Sequence, residues 1–339
     1  MVNLRNSLIL LVRLICSIAK GNPVVTTGHP RIRFIKVLVI YRLMLDFNPF
    51  PYQGSKRKIA KSILRYFPKE EKLNLVEPFA GSAALSIAAA YFNKTKSIWL
   101  NDSNESLIKL WKEIIWNPGI ISKKYAYLWN QQLEKRQHYN FVRDEFNRTD
   151  EPHYFLYLLA RCVKGSIRYN TNGQFNQSPD NRRKGMLPEK MKANLLIISR
   201  LMKNQIKFTS LDYKKVLSLC DSNCLVYMDP PYQGVCTNRD SRYHQGIKFS
   251  EFVNELEKLN EKDVPYIVSY DGRTGSKQHG KLLPNHLNLA RVEINAGPSS
   301  QASLLGRKEI TVESLYISEM LINRIRHVHS KQEELLVYA

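Results

Sequence analysis

The sequence predicts an α/β fold, an open and doubly wound sheet whose two halves are separated by an inserted, mainly helical domain. Three observations carry this. Short apolar runs at 73–76, 97–100, 206–211 and 224–228 each end in turn formers or an acidic residue, as buried parallel strands do. An alanine-rich apolar stretch at 83–91 follows the first run across one glycine turn, which makes a βα unit. Residues 103–205, between the second and third runs, have a different character, with helical spacing first and loop formers later.

A chain of 339 residues has room for two or three domains, and 43% hydrophobic with 24% charged residues is ordinary for a folded protein. The charge is not ordinary. Lys and Arg number 51 against 30 Asp and Glu, a formal +21. Such an excess is a footprint for phosphate or an anionic membrane, although a merely basic protein would show it too. Five cysteines, at 16, 162, 220, 224 and 236, form no metal-like pair of pairs, and no metal site is expected. Their odd number suggests free thiols in a reducing cytoplasm.

Residues 1–43 hold seven basic residues and no acidic one. Their apolar runs, 8–19 and 35–45, are interrupted by Arg13 and Arg42, and both fall short of the ~20 residues of a spanning helix. No signal-peptide core or cleavage site is convincing. A basic membrane-surface helix is one reading. The preferred expectation is that the functional chain begins near Met44 and that 1–43 is a dispensable extension.

Pro51-Tyr52-Gln53-Gly54-Ser55-Lys56 precedes a predicted helix over 59–66. Gly54 and Ser55 suit a turn whose backbone N–H groups bind anions, with Lys56 adding charge; the Walker spacing is absent. Strand 73–76 leads through Glu77-Pro78-Phe79-Ala80-Gly81-Ser82 into helix 83–91. Ligands of such sheets sit at strand carboxyl ends, here around Phe79 and Gly81. The second strand ends in Asn101-Asp102, where Asp102 either holds a ribose diol or starts the next helix. Strand 206–211 ends at Asp212, a candidate acceptor for an adenine amino group or else a helix cap. The central strand 224–228 is stopped by Asp229-Pro230-Pro231-Tyr232, because two prolines cannot continue a ladder. That places a carboxylate, a carbonyl and an aromatic ring together, which is what an amino-bearing planar base requires.

The turn Tyr52 to Lys56, then Glu-Pro-Phe-Ala-Gly-Ser, then Asn-Asp, then Asp-Pro-Pro-Tyr occur in that order. Over about residues 47–320 the chain resembles the DNA adenine methylase family, class alpha S-adenosylmethionine-dependent amino-methyltransferases of DNA. The resemblance implies a Rossmann-like doubly wound methyltransferase sheet from 44–102 and 206–320, with a target-recognition domain at 103–205 and a loose tail at 321–339. One departure stands out: many relatives have Phe-x-Gly-x-Gly, whereas Ala83 occupies the second glycine position here. The resemblance further implies that Tyr52, Lys56, Phe79, Asp102 and Asp229 line the S-adenosylmethionine site, with Lys56 facing the methionine carboxylate and Asp102 the ribose.

Within the insertion, 107–115, 125–133 and 154–163 read as helices, with Trp111, Trp116 and Trp129 as core. The segment 164–185 then gathers amides, aromatics and a basic cluster. Arg168, Asn170, Asn172, Asn176, Arg182, Arg183 and Lys184 are the candidate DNA-binding residues, since Arg and Lys neutralise phosphates and amides read base edges. An Arg-x-Asn-x-x-Gly-x-Phe-Asn segment in the resembled family is similar to 168–176. Residues 234–248 are expected to form a mobile loop over DNA.

The expected activity is methyl transfer to the N6 amine of a flipped-out adenine in double-stranded DNA. Asp229 and the Pro230 carbonyl would accept the amine hydrogens and Tyr232 would stack on the base. A cognate restriction endonuclease acting on the same site is a candidate partner, and no membrane partner is required. Alternatives are cytosine-N4 methylation (against which Asp rather than Ser before Pro-Pro leans), an RNA substrate, or a non-catalytic DNA-binding protein with a relict sheet. Missing dinucleotide glycines disfavour a nicotinamide enzyme.

Overall fold

The computed structural model describes residues 48–133, 137–231, 247–275, 277–298 and 309–326. The basic extension at 1–43, Tyr232, the 234–246 part of the expected DNA loop and the last residues of the tail lie outside them.

The strands are β1 (Asn74–Glu77), β2 (Ser97–Asn101), β3 (Ile206–Thr209), β4 (Cys224–Met228), β5 (Tyr266–Thr274), β6 (Lys277–His279), β7 (Ala290–Pro298) and β8 (Ile310–Ile317). They form one sheet in the order β3-β2-β1-β4-β5-β8-β7, with β6 beside β5. β3, β2, β1, β4 and β5 are parallel neighbours, whereas β8 runs antiparallel to both β5 and β7. The doubly wound α/β fold read from sequence is the one observed.

Both faces of the sheet are covered because its central strands alternate between two apolar layers. Leu75, Leu225, Tyr227, Ile267, Leu315 and Ile317 pack with Ile59 and Ile63, at and in the short helix α1 (Ala60–Ile63), and with Leu85 and Ala89 of α2 (Ala84–Tyr91). Val76, Val226, Met228, Tyr266 and Val268 point the other way. They meet α8 (Tyr213–Ser218) and α9 (Phe249–Glu261), whose Phe252, Leu256 and Leu259 form one apolar stripe.

Between β2 and β3 lie α3 (Glu105–Trp116), α4 (Pro118–Gln131), α5 (His138–Thr149), α6 (Pro152–Arg161) and α7 (Pro188–Met202). Their core is continuous with Ile98 and Leu100 of β2 and with Ile87 of α2. The helical insertion is therefore seated on the β2 side of the sheet. Pro118, Pro152 and Pro188 each stand in a first turn, where the missing N–H costs nothing.

Several local expectations are corrected. The helix expected over 59–66 is one α turn, Ala60–Ile63, with Ile59 as its N-cap (φ −109°, ψ −4°), running into a 3-10 turn over Leu64–Tyr66. β5 runs on past Tyr270 through a bulge between Ser269 and Gly272. β7 begins only at Ala290, because Leu287 closes a 3-10 turn and Asn288 is left-handed. Trp116 is 44% exposed at the last position of α3, past the stripe of Trp111, Ile114 and Ile115, with the Lys203 ammonium 5.7 Å from its ring centre. Packed structure also runs past 320: residues 319–326 are helical and Leu321 is buried.

Candidate active site

The strand order reverses between β1 and β4, and a crevice at such a point, outside the carboxyl ends of the strands, is where open α/β sheets bind ligands. A pocket of about 1040 Å³ occupies it. Tyr52, Lys56, Phe79, Gly81, Asp102, Asp212, Asp229, Pro230 and Pro231, distant in sequence, all line this one cavity.

The β1–α2 turn is shaped by left-handed backbone. Gly81 has φ 47°, and a β-carbon there would meet the Tyr52 ring at 3.0 Å, so the glycine is what seats that ring. Ala83, two positions on, also lies in the left-handed region at φ 48°, ψ 35°. An L-residue costs about 1–2 kcal/mol there. Its fully buried methyl offsets roughly 0.8 kcal/mol of that.

Asp102 accepts from the Gly81 N–H (3.0 Å) through Oδ2 and from the Asn104 N–H (3.0 Å) through Oδ1. Burial raises its pKa, and these two N–H groups oppose the rise. Asn101, fully buried, ties three strand ends together. Its Nδ2 donates to the Pro78 and Leu211 carbonyls at 3.0 Å each, and its Oδ1 accepts from Thr209 Oγ1 and the Leu211 N–H at 2.8 Å each. Asp212 lines the pocket and also caps α8, accepting from the Lys214 N–H at 2.8 Å. Phe79 packs on Tyr213 with ring centres 5.2 Å apart. The buried Tyr213 hydroxyl and Ser166 Oγ, both in residues of the pocket wall, have no hydrogen-bond partner among the described residues.

Lys56 is the electrostatic centre. Its Nζ is 3.1 Å from Asp229 Oδ1 and 3.1 Å from Glu313 Oε2 on β8, and its side chain is only 8% exposed. Burial disfavours the ammonium, but the Asp229 and Glu313 carboxylates outweigh it, so the pKa is raised and the charge is kept. Nearby, Glu77 at the end of β1 is buried and accepts from the Ser86 N–H of α2 at 2.8 Å. Burial, opposed by the Ser86 bonds and assisted by the Asp229 charge, pushes Glu77 from 4.5 up to about 7.

The amide-rich segment is a tight hairpin. Tyr169 and Phe175 are bridged across it, the Asn170 N–H donates to the Gln174 carbonyl at 2.8 Å, and 171–174 are exposed. Asn170 is spent on this turn, its Oδ1 accepting from the Asn172 and Gln174 N–H groups at 3.0 and 2.9 Å. Arg168, Asn172 and Asn176 are exposed. Arg182, Arg183 and Lys184 are exposed too, and the two arginines also pair with Asp180, at 3.2 and 3.7 Å.

Glu313, Glu77, Asn101, Tyr213 and Gly165 were not read as site residues from sequence. Glu313 is 257 positions from Lys56 and sits in an ordinary strand, so nothing local marks it. Gly165 had a weak signal as a glycine in a loop; at φ 60°, a β-carbon there would lie 2.5 Å from the Pro51 carbonyl.

Comparison with known proteins now adds to this geometry. The retron Ec67 DNA adenine methylase of Escherichia coli is 27% identical over 267 residues, 74% of this chain and 87% of that one. DNA adenine methylases of Serratia marcescens and Haemophilus influenzae are each 26% identical, covering 57% and 66% of this chain and 70% and 80% of theirs. A solved rRNA methyltransferase, aviRa from Streptomyces viridochromogenes, superposes with a TM-score of 0.35 at 12% identity, over 78% of this chain and 84% of that one, too loosely to add to the fold. The family described as D12 class N6 adenine-specific DNA methyltransferase matches residues 52–294, a span holding the pocket turns, the hairpin and Asp229. The chain belongs to this D12 class and is an adenine-specific DNA methyltransferase.

Proposed function

We infer that the pocket binds S-adenosylmethionine and that the chain methylates the N6 amine of an adenine flipped out of duplex DNA. The observation that carries this is the convergence of the Asp102 and Asp229 carboxylates on one cavity at the strand switch point. The residues present fit the cofactor. Asp102 ends β2, where a carboxylate can take both hydroxyls of a ribose. Phe79 and Tyr213 offer an aromatic wall to an adenine ring, and the Tyr213 hydroxyl and Ser166 Oγ, without a partner among the described residues, are polar groups that a ligand would satisfy. When bound, S-adenosylmethionine supplies a methyl group already activated on a sulfonium.

What remains is to position and prepare the amine, whose lone pair is delocalised into its ring. The Asp229 carboxylate and the Pro230 carbonyl accept its two N–H hydrogens and draw the nitrogen towards a tetrahedral, nucleophilic geometry. Lys56, shared by two carboxylates, is read here as the anchor that aims Asp229 rather than as a receptor for the methionine carboxylate. Asp229 needs no great basicity, since the surplus proton can leave the nitrogen after transfer. Tyr232 would stack on the base, a contact worth roughly 1–3 kcal/mol.

The insertion at 103–205 is read as the target-recognition domain, with the 168–176 hairpin and the 182–184 cluster against DNA. A restriction endonuclease sharing the target sequence, or a solitary role, both accommodate this reading. Calorimetric titration with S-adenosylhomocysteine tests the cofactor assignment. One-to-one binding is expected, weakened tenfold or more in Asp102→Ala, which loses the ribose contact. A folded chain that takes up none contradicts it.

A further inference from the structure

A hydrogen bond joins the hairpin to the Asp102 turn. Asn104 Nδ2 donates to the Tyr169 hydroxyl at 3.0 Å. On the pocket side, the Asn104 N–H holds Asp102 Oδ1, and Asp102 Oδ2 in turn holds the Gly81 N–H, both at 3.0 Å. Asn104 is also pinned to α3, its Oδ1 accepting from the Leu107 N–H at 3.1 Å. On the hairpin side, Tyr169 is bridged to Phe175, which is buried in the helical core. Tyr169 and Gly173 themselves line the pocket, while the tip at 171–174 faces solvent. One turn thus has an inner wall on the cavity and an outer tip, and it is hydrogen-bonded to Asn104 and through it to Asp102.

We propose that Tyr169 is a positioning residue that couples the two substrates. Duplex DNA on the hairpin tip and S-adenosylmethionine in the pocket stabilise the same arrangement of the Asp102–Asn104 turn, so each tightens the other through the Asn104–Tyr169 bond. Linkage requires the effect to be equal in both directions. The proposal rests on the ligand assignments made above.

The test measures S-adenosylhomocysteine affinity with and without a saturating unmethylated duplex that carries a mapped target site, in wild type and in Tyr169→Phe. In wild type the duplex is expected to tighten binding about fivefold or more, the lower end of ordinary coupling. In Tyr169→Phe the ratio falls below about twofold, with thermal melting confirming the fold. An unchanged ratio in Tyr169→Phe overturns the proposal, as does no tightening in wild type. A merely structural role lowers both affinities alike and leaves the ratio intact, which also overturns it. Failure of the underlying reading is visible separately, since a folded wild type would then bind no S-adenosylhomocysteine or no duplex at all.

Discussion

Two carboxylates share the buried Lys56 ammonium and favour its charged form. Glu313 therefore controls how strongly the ammonium pulls on Asp229. In Glu313→Gln the full attraction falls on Asp229, making it a poorer acceptor for the amine. We expect kcat to drop roughly tenfold, the scale of one charge-assisted hydrogen bond, with the cofactor KM little changed. A KM effect alone in steady-state kinetics would contradict this. Glu77 makes a separate, pH-dependent prediction. Its carboxyl titrates near 4.5 when unfolded and at about 7 when folded, so the native state holds the extra proton between these values. Stability is therefore highest below about pH 4.5 for this group and declines as pH rises to about 7, by up to about 3 kcal/mol. Urea unfolding at several pH values should show that decline weakened in Glu77→Gln, whose amide oxygen can still accept from Ser86. An identical pH dependence in both proteins would remove Glu77 from the account.

Among the elements, the sheet was legible because strand and helix periods differ and because turn formers mark the strand ends. Leu75 and Val76, or Leu225 and Val226, go to opposite faces as an alternating strand requires. Helices α5 and α7 were not read, although Tyr139, Val142 and Phe146, and Met191, Leu195 and Ile198, carry helical spacing. Polar residues between them diluted the pattern. Contacts distant in sequence were illegible for a different reason: neither Glu313 beside Lys56 nor Pro51 over Gly165 leaves a local trace. That last crossing is testable. Gln53 N–H also bonds the Gly165 carbonyl at 3.1 Å, so the Tyr52 turn lies directly on this loop. Gly165→Ala sets a methyl against backbone that cannot rotate away, beyond any left-handed strain. It is expected to weaken S-adenosylhomocysteine binding tenfold or more in calorimetry, while Gly173→Ala, whose β-carbon would meet nothing within 4 Å, has a much smaller effect.

For the whole molecule, a formal charge of +21 predicts phosphate-dominated DNA binding. Affinity for a duplex should fall on the order of a thousandfold between about 50 and 200 mM salt, as for roughly six phosphate contacts. Fluorescence anisotropy across that range checks it, and affinity indifferent to salt would contradict the basic loop's assigned role. In the proposed function the pocket, the hairpin and the sheet end all serve one event, the delivery of an adenine amine to Asp229 and Pro230. Methyl transfer from labelled S-adenosylmethionine to unmethylated duplex DNA, with Asp229→Ala alongside and base analysis of the product, tests this most directly. N6-methyladenine from the wild type, and at least a thousandfold less from a folded Asp229→Ala that still binds S-adenosylhomocysteine, is the expected result, since losing a positioned acceptor of this kind costs about 10²–10³ and a charge adds to it. Equal rates from both proteins, or methylation at cytosine, would contradict it.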